Sequence, residues 1–419
     1  MTGHTSANAA ACRGGYGALP KLSGTAFFPI AWIARLPAAM MPVAVMTLLV
    51  ATTGSYTTAG YGSGSVGLGT AIGAPLLGLA VDRFGQRRVL VPIAVLACLG
   101  ILATVILAVY RAPTIAICAA CLIAGLANPQ VGVMARSRWL HLAGTPTHNP
   151  GKRAGWYSRT VAAALGYESM ADELSFVVGP VLVGTVSALA GDPAPLTLAA
   201  AATALFVIWF ALHRTAPPSV RMHADAGSSQ APARDIFRLP VLSPVIGMAC
   251  QGAYFGATLT AVTAMANATG DPGRAGILYG AMGLTSAVFA LTLVRVPDRI
   301  SLRTRWIVSA AVMTVGALML PLAHGPITLM LCLALTGCGV GPAMVTMFAT
   351  AGATSPAGRA SLVMTLMSAA VVTGQALASP LTGRLADHGG YAAVAWVPAL
   401  CGLLVALAAI FTRSHRSSQ

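Results

Sequence analysis

Glu168, Asp172 and Glu173 fall within one stretch, GYESMADELSFVVGP (166–180), of a 419-residue chain that has only ten Asp and Glu. On a helix, residues four apart share a face. Glu168, Asp172, Ser175 and Gly179 therefore line one side, while Glu173 points away with Ser169, Phe176 and Pro180. Carboxyl groups in apolar surroundings do two kinds of chemistry. They hold a cation, or they exchange protons nearer neutrality than they would in water. A cation is available: Arg35 lies about ten residues into the apolar run GTAFFPIAWIARLPAAMMPVAVMTLLV (24–50). An Arg35–Glu168 or Arg35–Asp172 pair is one expectation. The other is that helix 1 begins after Arg35, whose side chain then snorkels to the headgroups.

The elements that carry these residues follow from composition. Residues AVILMFWYC make up 56% of the chain and charged residues 8%, against about 25% charged in soluble domains. So few charges cannot cover a water-facing surface, and the solvent must be a bilayer. Polar and Gly/Pro punctuation divides the chain into twelve apolar runs near 25–52, 58–80, 89–110, 113–135, 160–187, 194–213, 240–268, 274–295, 305–323, 326–350, 360–382 and 391–412. The segment 214–239, rich in Ala, Ser and Pro, reads as a cytoplasmic linker between an N-terminal six-helix half (1–213) and a C-terminal one (240–419). Orientation follows from basic residues, which accumulate on the cytoplasmic side. With both termini inside, 21 of the 25 Lys and Arg are cytoplasmic. Only Arg111, Arg274 and Arg384 fall outside, and Arg35 lies in a run. The halves also echo one another, DRFGQRR (82–88) against DRISLRTR (298–305), and GPVLVG (179–184) against SPLTG (379–383).

This topology sets the depth of the acids. If helix 5 starts near 158–160, Glu168 is about 12 Å and Asp172 about 18 Å along it. An acid at that depth costs about 2.5–3.5 kcal/mol on insertion scales, which marks it as functional by default. If helix 5 starts near Leu174, all three acids sit at the cytoplasmic surface. A fixed structural ion pair is the third reading.

The sharpest motif is GLAVDRFGQRRVL (78–90). Gly78, Asp82, Arg83, Gly85, Arg87 and Arg88 match the loop signature between helices 2 and 3 of the major facilitator superfamily, and Gln86 stands where a basic residue is usual. Physically, Gly85 permits a tight reversal. Arg87 and Arg88 face anionic headgroups, each worth about 1 kcal/mol. In helix 5, Gly179, Pro180 and Gly184 resemble the Gly-Pro motif of that superfamily's antiporters, with Ser175 and Val183 replacing two glycines. Helix 4, ANPQVGVMARSR (127–138), departs from the usual arginine followed by Gln-x-Gly. The resemblance implies an all-α membrane protein with the twelve-helix fold of the superfamily in two pseudo-symmetric halves. It implies a loop that latches the halves in one state, and a multi-pass monomer of the bacterial cytoplasmic membrane.

The remaining features exclude other classes. Basic residues scattered between apolar runs, without stacking aromatics, argue against nucleic acid as a partner. Cys118 and Cys121 have no second pair and read as packing residues. No phosphate-binding Gly-Lys-Ser/Thr loop occurs, so gradients must supply energy; neither an enzymatic activity nor a cofactor is expected. Asn128, Gln130, Gln251, Tyr254 and Gln375 are polar residues inside apolar runs, suited to substrate contact or to interhelical hydrogen bonds. The expectation is secondary active transport: efflux of a small hydrophobic or natural-product-like molecule, coupled to protons through Glu168, Asp172, Glu173 and Arg35. A gradient-driven importer and a non-transporting membrane sensor on the same scaffold are the alternatives.

Overall fold

The computed structural model describes residues 15–143, 150–216, 235, 237–271, 274–293, 300–356 and 360–411. Among them twelve long helical passes follow one another. They are α1 (Phe27–Thr53), α2 (Tyr56–Phe84), α3 (Gln86–Val109), α4 (Thr114–Ala143), α5 (Pro150–Ala190) and α6 (Ala194–Leu212) in one half. The other half holds α7 (Leu239–Ala268), α8 (Arg274–Thr292), α9 (Leu302–Leu318), α10 (Pro326–Thr354), α11 (Ala360–Val394) and α12 (Val397–Ala408). Nine are long and apolar enough on their own to cross a membrane, and α11 with α12 forms a tenth, bent pair. Apolar side chains cover the outside. On α11, Leu377, Leu381 and Leu385 project outward along one stripe while Ala376, Ser379 and Thr382 are buried. Such a surface is stable only against lipid. The protein is a multi-pass membrane protein.

Helix ends follow local chemistry. Gly54 closes α1 in the left-handed region, and Ser55 caps α2 by accepting from Thr58 N. Gly85, at φ 87°, makes the reversal between α2 and α3 that its lack of a side chain permits. Three predicted boundaries shift. α5 begins at Pro150 rather than near 160, so a late start near Leu174 is not what forms. α4 extends to Ala143 across an interruption at 127–130, where Pro129 cannot donate a backbone bond. α11 runs on past the expected end near 382 as far as Gly390 (φ 58°), which breaks the helix, and the residues expected to open helix 12 follow that break. The linker expected over 214–239 lies mostly outside the described residues, as does Asp298 in the expected 298–305 echo.

Hydrogen bonds place the helix ends. The start of α3 and the ends of α4 and α6 meet at one end of the bundle, through Gln86, Arg138 and Phe210. The start of α2 and the far end of α11 meet at the opposite end, through Ser55 and Asp387. The two halves join along two seams, α2 with α11 and α5 with α8. Both are built from glycines at the same spacing. A Cβ on Gly64 would stand 2.7 Å from the Ala376 carbonyl, and one on Gly67 3.0 Å from Ala376 Cβ; Gly60 meets Ser379 and Pro380. On α8, Gly276 faces Pro180 and Gly184, Gly280 faces Val181, and Gly283 faces Val177. Gly60/64/67 and Gly276/280/283 thus form matching ladders against the two segments that echo one another, GPVLVG and SPLTG. Small residues let backbones approach where no hydrophobic effect draws helices together.

The glycines differ in what they permit. A Cβ at Gly179 would lie 2.9 Å from Ala39 Cβ, while at Gly78 nothing stands within 4 Å. Gly179→Val should therefore lower the thermal midpoint in detergent, by overpacking worth about 1–3 kcal/mol. Gly78→Ala should leave it unchanged or raise it, since glycine inside a helix costs about 0.5–1 kcal/mol.

Candidate functional site

The candidate site grows out of two broken helices. α1 is interrupted at Ala34 and Arg35, because Pro37 in the following segment cannot donate to the preceding turn. α4 resumes at Val131 after its own interruption, with Gly132, Arg136 and Trp139 at i, i+4 and i+7 on one face. That face meets Glu168 and Asp172 of the antiparallel α5. Gly132 makes the approach possible, since a Cβ there would lie 2.9 Å from Asp172 Oδ1 and 3.4 Å from Arg35 Nε.

Each of the four carboxylate oxygens is then met by one nitrogen. Trp139 Nε1 donates to Glu168 Oε1 at 2.6 Å, and Arg35 Nη2 donates to Glu168 Oε2. Arg136 Nη2 donates to Asp172 Oδ2 at 2.7 Å, and Arg35 Nε lies 3.2 Å from Asp172 Oδ1. The last is an ion-pair contact whose N–H does not align as a hydrogen bond. Two acids and two arginines leave the cluster formally neutral. Arg35 is buried and Glu168 is fully buried, whereas Asp172 is 28% exposed and Arg136 34%. Arg35 therefore does not snorkel, and the two pairings written as alternatives from the sequence both occur. Glu173 lies on α5, but its side chain is outside those described.

The loop motif has a second charged centre. Arg83 stacks on Phe84, its guanidinium carbon 5.2 Å from the ring centroid, and Arg87 and Arg88 are exposed; the Asp82 side chain is outside those described. Gln86 is buried and turned inward, donating to the Met134 carbonyl and to Ser137 Oγ. Its Oε1 accepts from Arg138 Nε at 2.8 Å. Arg138, fully buried, also donates to the Phe210 carbonyl and to Thr215 Oγ1, and sits 3.6 Å over the Phe210 ring. The basic group usual at position 86 is thus replaced by a guanidinium arriving from α4.

Arg136, Arg138 and Trp139 escaped the sequence reading, which counted the two arginines as topological charges. The signal was there: Gly132-x-x-x-Arg136-x-x-Trp139 is a helical face complementary to Glu168-x-x-x-Asp172. On α5, Gly179 packs on α1 and Pro180 with Gly184 on α8, so the Gly-Pro motif is a packing surface within a continuous helix. Of the other polar residues, Asn128 reaches Thr70 at 3.5 Å. Gln251 and Tyr254 are buried, and both polar atoms of the Gln251 amide are unpartnered among the described residues. Cys121 is buried against Thr104, and the described residues hold no cluster of three metal-binding side chains.

Restoring a basic residue by Gln86→Arg should destabilise the protein, because two buried guanidinium groups would then share one site. The thermal midpoint should fall, and the exchange Gln86→Arg with Arg138→Gln should recover part of the loss.

Residues 244–419 match the family model described as Major Facilitator Superfamily. None of the curated proteins matches the chain by sequence. Among solved structures, the nucleoside transporter NupG matches with a TM-score of 0.68 at 15% identity, covering 92% of this chain and 97% of its own. The xylose transporter XylE from E. coli, in a partially occluded inward-open conformation, gives 0.67 at 13% identity, covering 94% and 98%. A peptide transporter, POT, gives 0.65 at 14% identity, covering 99% and 100%. The C-terminal part of the chain thus resembles the Major Facilitator Superfamily in sequence, and the chain as a whole shares the fold of these transporters.

Proposed function

We propose that this protein is a secondary transporter that exports a small hydrophobic or natural-product-like molecule in exchange for protons, by alternating access of its two halves. It would be a monomer in a bacterial cytoplasmic membrane with both termini in the cytoplasm. The 21-to-3 distribution of basic residues supports that orientation. The halves would be 1–213 and 240–419, joined by the linker 214–239.

The observation that carries the reading is the pair of acids held by Arg35. Of the two acids, one is sealed and one is open to solvent. Glu168, with both oxygens bonded and no exposure, is suited to anchoring Arg35. Asp172 is one helical turn further along, partly exposed, and shares Arg35 with Glu168. Protonating Asp172 would release Arg136 and half of the hold on Arg35, loosening α1, α4 and α5 together. Arg136 is partly exposed and Arg35 keeps Glu168, so no charge is left buried and unmet, and the step costs far less than the rupture of a fully buried pair. Proton binding can therefore bias one helix packing over another.

The test is reconstitution in vesicles with a panel of lipophilic fluorescent compounds and an imposed pH gradient. Gradient-driven movement of a compound, with counterflow of protons, is expected for the wild type. Asp172→Asn should abolish the coupling. Movement that ignores the gradient and survives Asp172→Asn would remove the antiport reading, while protons and compound moving together would make the protein an importer. Arg35→Ala should inactivate transport. Arg35→Lys should restore little, because one ammonium cannot serve two carboxylates as a planar guanidinium does.

A further inference from the structure

Asp387, near the far end of α11, lies outside the candidate site. Its Oδ1 accepts the Tyr56 backbone N–H at 2.6 Å, and its Oδ2 accepts the Thr57 N–H at 2.8 Å and Ser55 Oγ at 2.9 Å. These are the first two amides of α2, in the other half of the protein, and Ser55 is that helix's cap. One carboxylate thus joins the cap residue in closing the start of a helix to which it is connected only through the packing of the two halves. Helix N-termini attract negative charge through their unpaired N–H groups and aligned dipoles, and hydrogen bonds to an ionised acceptor are the strong ones. The register is fixed by Gly383, one turn earlier on the same face, which lies against the backbone of Tyr56 and Thr57. Asp387 therefore terminates the seam in which Gly60, Gly64 and Gly67 pack on α11.

We propose that Asp387 is an outer latch: its carboxylate, clamped on the start of α2, holds the halves closed at the end of the bundle opposite the Gln86–Arg138 centre. The contact exists only while α2 and α11 are seated together at that end. Asp387 is exposed, so the latch rests on the three hydrogen bonds themselves; they are lost when the halves part there, which favours the conformation seen here over one open at that end. Arg384 and His388 flank Asp387 on α11, and both are exposed. His388 contacts the Arg384 carbonyl at 2.8 Å through Nδ1, and neither residue is among the hydrogen-bond partners of the carboxylate.

Spin labels at Leu189 and Ile327, exposed positions at that same end in opposite halves, report the separation as a distance distribution on the full protein in lipid. Asp387→Asn should move population toward the longer distance by about two- to fivefold, the order of effect of a carboxylate on an exposed helix terminus. Ser55→Asp is the second variant. It keeps α2 capped by its own carboxylate but places that charge against Asp387, and it too should lengthen the distance. Distributions unchanged in both variants would overturn the latch. Widening in Asp387→Asn alone, with Ser55→Asp like the wild type, would also overturn it, because lost capping and not lost contact between halves would then be the cause. The readout needs neither substrate nor proton gradient, so its failure leaves the coupling reading standing.

Discussion

A charge inside an apolar bundle must be met at bonding distance by an opposite charge, and Arg35 meets two. Its guanidinium reaches Glu168 with one nitrogen and Asp172 with another. Much else around the site follows from this demand. α1 must break where Arg35 sits, α4 must carry a glycine where Arg35 and Asp172 crowd it, and α5 must run on through the acids as one helix. Arg136 and Trp139 then complete the set by taking the two oxygens that Arg35 leaves. Removing Arg35 or Glu168, the two buried charges, would strand a charge or an N–H donor away from water, which costs far more than the net worth of the bonds themselves.

Outside this cluster the molecule is held by shape. The halves meet through two ladders of glycine, at 60/64/67 and at 276/280/283, each set against the partner half's Pro-containing segment. Along these seams small side chains such as Val181 and Ala376 rest against glycine, so in the proposed cycle two halves could part along them as rigid bodies. The polar contacts at the two ends differ in kind. At one end Arg138 ties together α3, α4 and α6 within a single half. At the other, Asp387 bonds one half to the other. A network within a half makes that half move as a unit; a bond between halves is what a motion must break.

Much of the architecture was legible in sequence because a bilayer enforces it. Every spanning segment must satisfy its own backbone bonds, so an apolar run of about 20 residues has little choice but helix. Helix count, the division into halves and the tight turn at Gly85 were readable for that reason. Boundaries were less so. The end of α4, the start of α5 and the join of α11 with α12 lie in polar or mixed sequence, where neighbouring helices decide how far a turn continues. The repeated glycine spacing on α2 and α8 was present in the sequence and passed unread, because glycines are frequent throughout this chain.

By itself the sequence determined the solvent, the twelve passes, and the existence of three acids and an arginine inside apolar runs. These are properties of composition and of one-dimensional spacing, and the cost of burying charge makes them informative without coordinates. Only the tertiary structure decided the partners. Arg35 touching both Glu168 and Asp172, Arg136 and Trp139 taking the remaining oxygens, Gln86 holding Arg138, and Asp387 capping a helix more than three hundred residues away in sequence all depend on how helices are rotated and staggered. Rotation and stagger are set by the summed packing of many small residues, which no single segment of sequence carries.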